Sequence, residues 1–200
     1  GIASGAIGGS QVHLVSSPLG LLRALLGRRR KPVPVPPETL SGAVTLRALT
    51  EDDWPLDQRL SQDPDVVRGT YYPADMDPQQ ARDRILRFLG TPEVVRRYVV
   101  LDLDGRALGT CGIGMLDTGP PRLFYALLPE GRGRGAATAA AGMLAEWAIS
   151  NGYPEVGLET VEGNVASERV AARAGFRTVR RYEDEHRGQQ VVLTWWVRDS

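Results

Sequence analysis

Three glycines alternate with two arginines at Gly131-Arg132-Gly133-Arg134-Gly135, between an apolar run from Leu123 to Leu128 and a stretch of helical pattern. Pro129 cannot donate to a ladder and marks the end of a strand. Beyond the glycines, Ala137, Ala140, Ala141, Leu144, Trp147 and Ala148 recur at helical spacing and form an apolar stripe fit to lie on a sheet. A strand, a glycine turn and a helix start, in that order, gather backbone N–H groups without intrahelical partners and a partial positive charge at one point. The glycines remove the Cβ atoms that would hold a ligand off the backbone, and the arginines add charge. The chemistry implied is a phosphate or pyrophosphate cradle. A P-loop needs G-x-x-x-x-G-K-S/T, and the chain's lysine is Lys31, far upstream. A dinucleotide fingerprint G-x-G-x-x-G finds Thr138 where its third glycine should stand, and no N-terminal βαβ unit accompanies it. That weighs against a nicotinamide-dependent dehydrogenase.

The elements that must hold this cradle come from a chain of 200 residues, enough for one domain or one domain with an appendage. A hydrophobic fraction of 42% supports a real core. Charges balance at 24 basic and 24 acidic residues, so any attraction to nucleic acid or membrane has to be local. One cysteine, Cys111, leaves no disulfide framework and leads us to expect a reducing, cytoplasmic setting, with Cys111 itself a small buried hydrophobe. His13 and His186 stand far apart in sequence, so no metal site is expected. No apolar run reaches the roughly 18 residues that cross a bilayer.

Residues 1–42 read as an N-terminal extension. They hold glycine, serine and proline clusters, a basic segment within residues 23–31 and the spacer Pro32-Val33-Pro34-Val35-Pro36-Pro37. Two readings stand: a basic amphipathic anchor for an anionic surface, or a poorly ordered tail ending in an extended linker. A first residue Gly in place of Met is what a processed chain would show. Residues 43–200 read as the globular domain. Val44 to Leu49 alternates as a strand, and Thr50 with Asp53 forms an acidic capping box for a first helix. A second helix is expected from Asp77 to Leu89. The intervening Val66 to Pro73 reads as a loop that either walls the substrate or packs between helices. Arg97 to Leu103 and Ala107 to Met115 form a hairpin through Asp104-Gly105. Strands at 122–128 and 156–161 flank the long helix, and a short helix from Val165 to Ala174 ends at Gly175 with Phe176 behind it. Arg177 to Tyr182 and Gln190 to Val197 make the last hairpin, whose Trp195 and Trp196, read as exposed, would pair two protomers into a homodimer.

Arg132-Gly133-Arg134-Gly135-Ala136-Ala137 matches the Q/R-x-x-G-x-G/A signature of the GNAT acetyltransferases. Residues Leu158 to Phe176, with Asn164-x-x-Ser167-x-x-Val170-Ala171-x-x-x-Gly175-Phe176, resemble that family's second signature, in the wording of its ribosomal-protein-alanine N-acetyltransferase branch. Tyr125 ahead of Leu127-Leu128-Pro129 agrees, although Ala126 replaces the branch's usual Trp. The resemblance spans roughly residues 44–198. It implies an α+β (mixed α/β) GNAT fold: a mostly antiparallel six- to seven-stranded sheet, splayed at the acetyl-CoA site and flanked by about four helices.

The resemblance also implies roles. Acetyl-CoA would be the co-substrate, its pantetheine bonded to backbone groups of Leu127 and Leu128 like an added strand. Its pyrophosphate would rest on the amides of Arg132, Gly133, Arg134, Gly135, Ala136, Ala137 and Thr138, with the Thr138 hydroxyl added. Asn164 would bond the pantetheine arm or orient the site. Glu159 matches the position of a general base, or else is a solvated strand residue. The family's tyrosine acid, seven residues after the Asn, is Ala171 here. Ser167 is then the acid by resemblance, or a helix cap, and Tyr182 is a weaker alternative. The implied reaction is direct transfer of an acetyl group to a primary amine, a protein N-terminus or a small molecule. The alternative is a catalytically silent CoA-binding domain docked through its basic tail.

Overall fold

A computed structural model describes residues 32–200. The basic segment expected to act as an anchor or tail lies outside the described residues. The compact unit begins at Val33, earlier than the boundary at residue 43 read from composition. Val33 packs on the core, Pro36 is fully buried, and the Tyr98 hydroxyl donates to the Pro37 carbonyl at 2.7 Å. Part of the proline spacer is therefore packed chain, held by apolar contact and one bond.

Eight strands and five α-helices follow. They are β1 (Thr39–Ser41), β2 (Thr45–Ala48), α1 (Trp54–Ser61), α2 (Pro64–Gly69), α3 (Pro78–Leu89), β3 (Arg96–Leu101), β4 (Ala107–Gly114), β5 (Arg122–Leu127), α4 (Ala136–Ser150), β6 (Glu155–Val161), α5 (Val165–Arg173), β7 (Arg177–His186) and β8 (Gln189–Asp199). The Thr50 capping box is present, closing a 3-10 turn at Glu51–Asp53 that runs into α1. Asp77 and Gln80 form a second box at the start of α3, with Pro78 at the position where a missing N–H costs nothing. Helix α2 occupies residues expected to be loop. Asp63 caps it through the amides of Asp65 and Val66, and Pro64 opens it.

The sheet runs β1-β2-β3-β4-β5-β6-β8-β7, antiparallel except between β5 and β6. Strand β8 thus lies inside β7. Trp195 is buried, and the Trp196 indole N–H donates to the Thr160 hydroxyl at 2.9 Å. This corrects the reading of Trp195 and Trp196 as exposed: both rings belong to this chain's own packing, and the outer strand is β7. Its turn, Arg187-Gly188, has φ of 55° and 74°, the left-handed pair that suits a two-residue hairpin.

Two apolar clusters hold the layers together. One, under α4 and α5, joins Tyr98, Ile113, Leu123, Leu144, Leu158 and Phe176. The other, under α1 to α3, joins Leu60, Ile85, Val99, Ala126 and Leu128. Strand alternation therefore assigns Leu123, Tyr125 and Leu127 of β5 to the α4 face and Arg122, Phe124 and Ala126 to the opposite one. Ala137, Ala140, Ala141 and Ala148 bring α4 close to the sheet. Among the described residues no helix is long and apolar enough to cross a membrane.

Candidate active site

Between β5 and β6 a single residue pair, Arg122 with Gly157, is in register, and beyond it the strands part. At the far end of β5 the chain turns through Pro129–Gly131 and enters α4. A Cβ on Gly131 would stand 2.7 Å from the Leu108 carbonyl oxygen, so this turn packs directly on β4. Gly133 and Gly135 are glycines for a different reason. Their φ values are 73° and 78°, while a Cβ on either would meet nothing within 4 Å. The open space lies in front of the α4 N-terminus, where Gly135 is an N-cap without a side chain and no acidic residue occupies the first turn. The first bond of the helix runs from the Ala139 amide to the Gly135 carbonyl, leaving the amides of Ala136, Ala137 and Thr138 without helical partners. An uncapped helix end behind open space fits a pyrophosphate.

Of the two leucines expected to bond the pantetheine, only Leu127 turns its peptide groups into the gap between β5 and β6. The Leu128 amide donates to the Leu108 carbonyl at 2.9 Å and so points into β4. Peptide groups alternate along a strand, so Leu127 faces the splay. Its carbonyl accepts the Arg132 Nε at 3.1 Å. Arg132 is not a free charge either: its guanidinium lies 2.9 Å from Asp63 and 3.2 Å from Asp65. Burial alone would raise the Asp63 carboxyl, but the Arg132 bond and the Val66 and Asp65 amides hold it below its ordinary value. Arg134 is exposed.

On the α4 face of the splay the Tyr125 hydroxyl donates to the Ser167 carbonyl at 3.3 Å, and burial pushes it up to about 12. Asn164 caps α5, its Oδ1 accepting the Ser167 amide at 3.2 Å. Ser167 is therefore not the cap, and it sits half-buried beside Tyr125 at the edge of the splay. A Cβ on Gly69 would reach to 3.1 Å from the Asn164 amide nitrogen, so α2 and α5 meet at this point.

The opposite face carries Glu159. Its Oε1 accepts from Arg122 Nη1 at 3.2 Å and from the Tyr182 hydroxyl. Partial burial, then that bond and the carboxylate charge, push the Tyr182 hydroxyl above its ordinary range. The Arg122 guanidinium lies 4.8 Å over the Trp195 ring. That ring occupies the space a side chain at 157 would need, with Cζ2 2.0 Å from a Cβ there. Exposed Tyr71 stands edge-on to His186 at 5.0 Å, and its hydroxyl is raised by partial burial and by Glu159 and Asp184. His186 Nε2 is buried without a partner among the described residues.

The loop bearing Tyr71 is fixed from two sides. Arg187 donates to the carbonyls of Thr70 and Tyr72. Beneath it the buried Tyr72 hydroxyl donates to Asp57 at 2.8 Å and accepts from Arg97 at 2.6 Å and Thr110 at 2.7 Å. Arg97 and Arg84 both pair with Asp57. Burial would raise the Asp57 carboxyl, yet the Arg97 charge, its bond and the Arg84 charge keep it below its ordinary value. Sequence reading left Val66 to Pro73 as either a substrate wall or a packed connection, and the structure holds both an exposed Tyr71 and a buried Tyr72 there; it missed Arg122, Asp57, Arg97 and Arg187, since charged residues carry no spacing signal for burial or for contact across the sheet. Among the described residues no group of three or more His, Cys, Asp or Glu is placed to hold a metal.

This geometry has relatives. A probable GNAT-family acetyltransferase from Chromobacterium violaceum is 19% identical, with a TM-score of 0.72 over 98% of this chain and 97% of that one. RimL, a ribosomal α-N-protein acetyltransferase solved with coenzyme A, is 17% identical, with a TM-score of 0.71 over 84% of this chain and 97% of that one. Spermidine N-acetyltransferase from Vibrio cholerae, solved with coenzyme A and spermine, is 14% identical, with a TM-score of 0.69 over 80% and 96%. No curated protein sequence matches the chain. At these identities the likeness shows the fold. The sequence model of the acetyltransferase (GNAT) domain matches residues 43–177, well over half of the chain, and the chain therefore belongs to the GNAT acetyltransferase family.

Proposed function

We propose that the protein moves an acetyl group from acetyl-CoA to a primary amine by direct transfer in a ternary complex. The observation that carries this reading is the uncapped α4 N-terminus behind Gly133 and Gly135, set beside a sheet that parts after one β5–β6 pair. The first-turn amides through Thr138 would hold the pyrophosphate, and the splay-facing peptide of Leu127 would align the pantetheine. Acetyl-CoA supplies an activated thioester. On the α1–α3 face Glu159 takes the proton of the incoming amine, directly or through a water, with Arg122 and Tyr182 fixing the carboxylate. On the α4 face Ser167 would protonate the departing thiolate, with the Tyr125 hydroxyl, bonded to the Ser167 carbonyl, as its neighbour. Base and acid on opposite faces suit a thioester that enters from one side of the sheet and an amine that enters from the other. Alignment supplies much of the rate.

The test is thiol release by the full chain with acetyl-CoA and an amine panel of N-terminal peptides and polyamines. Turnover that falls about 100-fold in Glu159→Gln, with acetyl-CoA affinity kept, is the expected outcome. Tight acetyl-CoA binding with no turnover across the panel would contradict it and favour a CoA-binding domain without catalysis.

A further inference from the structure

Arg132 stands at the meeting point of the cradle, the splay and α2. Its amide belongs to the glycine turn, while its side chain turns away and spends three bonds on the chain itself: Nε to the Leu127 carbonyl, and the two terminal nitrogens to Asp63 and Asp65. Asp63 divides its oxygens. Oδ1 caps α2 through the amides of Asp65 and Val66, and Oδ2 receives Arg132. Helix α2 in turn leads to the acceptor side: Gly69 rests against Asn164, and Thr70 and Tyr72 are held by Arg187 beside Tyr71. One guanidinium thus ties the cofactor cradle to the element that displays the acceptor wall.

Resting on the functional reading above, we propose that Arg132 is a positioning residue that exchanges partners when acetyl-CoA binds. A pyrophosphate on the turn's amides lies within one side chain's reach of the guanidinium and offers charge-assisted, bidentate acceptors. The Leu127 carbonyl is the splay-facing acceptor for which an added-strand pantetheine amide competes. Both demands pull the side chain the same way: off Leu127, Asp63 and Asp65, and onto the phosphates. Helix α2 keeps its cap through Asp63 Oδ1 but loses its tether to the cradle, so α2 loosens when the cofactor enters, while residues 70–72 stay held by Arg187 and the Asp57 cluster.

Hydrogen exchange on the full chain, with and without acetyl-CoA, reads this directly. Expected is protection at residues 136–138 together with severalfold faster exchange across residues 64–69, the second effect lost in Arg132→Gln while the first remains. In parallel, the double variant Asp63→Asn, Asp65→Asn keeps an oxygen for the cap but frees Arg132, and should bind acetyl-CoA roughly fivefold tighter, as expected when partly exposed ion pairs no longer compete. Exchange in α2 that is unchanged or slowed by acetyl-CoA, or equal or weaker affinity in the double variant, overturns the exchange of partners and leaves the functional reading standing. Failure of the folded wild type to bind acetyl-CoA overturns the functional reading itself, and this inference with it.

Discussion

The proposed cofactor cradle and the proposed acceptor face are built by opposite means. The cradle is backbone: two glycines with left-handed φ, a helix start without a capping side chain, and amides consecutive in sequence. The acceptor face is side chain: Arg122, Glu159 and Tyr182 from three strands, and Tyr71 on a loop anchored by Asp57, Arg97 and Thr110 below and by Arg187 above. A backbone site needs few residue types and tolerates change around it. A side-chain site depends on buried charge that has to be matched. The first therefore suits a moiety common to all reactions of a family, and the second the moiety that differs.

The contrast breaks most visibly at Asp57. Asp57→Ala leaves Arg97, with a side chain 3% exposed, facing no counter-charge, and should cost about 3–5 kcal/mol in urea unfolding. Glu162→Ala removes the partner of the exposed Arg181 and should cost about 1 kcal/mol or less. Equal losses would mean that the buried cluster is no anchor. Next come the glycines. Gly157→Ala drives a methyl into the Trp195 ring and should cost about 1–3 kcal/mol, read as a lowered Tm. Gly133→Ala meets no atom and should carry only the penalty of left-handed backbone, about 1–2 kcal/mol. The two should differ in function as well, with Gly133→Ala weakening acetyl-CoA binding and Gly157→Ala raising the acceptor KM. Tyr182→Phe removes one of two bonds to Glu159 and should lower kcat about tenfold at unchanged acetyl-CoA affinity. The smallest effect near neutrality is that of pH. Asp57 is held below its ordinary value near 3.8, so its contribution to stability is present above that value and is lost as pH falls below it. Acid unfolding of Asp57→Asn should lack that part of the decline.

The same contrast decides what was legible. Gly133, Gly135, the long helix and the Asn164–Phe176 segment could be read because their chemistry is local: positive φ, helix caps and apolar spacing lie within one stretch of chain. Helix α2 was missed because one buried residue, Val66, in a six-residue helix makes no periodic stripe. The Asp63-Pro64 pair was its one signal. Strand β1 is three residues long and is defined by its pairing with β2. The burial of Trp195 depends on β8 inserting between β6 and β7, a matter of topology that strand composition does not carry. The Asp57 cluster joins residues up to 53 positions apart, from Asp57 to Thr110, and a charged residue on an otherwise amphipathic helix reads as solvated.

The central proposal is that the backbone turn at Gly133 and Gly135 is the seat of the co-substrate, with the Arg132 side chain joining it only once the seat is filled. Calorimetric titration of the full chain with acetyl-CoA, beside the variant Gly133→Val, Gly135→Val and with NADH as control, tests it most directly. The account predicts saturable binding of acetyl-CoA to the wild type, no measurable binding to a variant that still unfolds cooperatively, and none of NADH to either. Acetyl-CoA binding of equal strength to both proteins would contradict it.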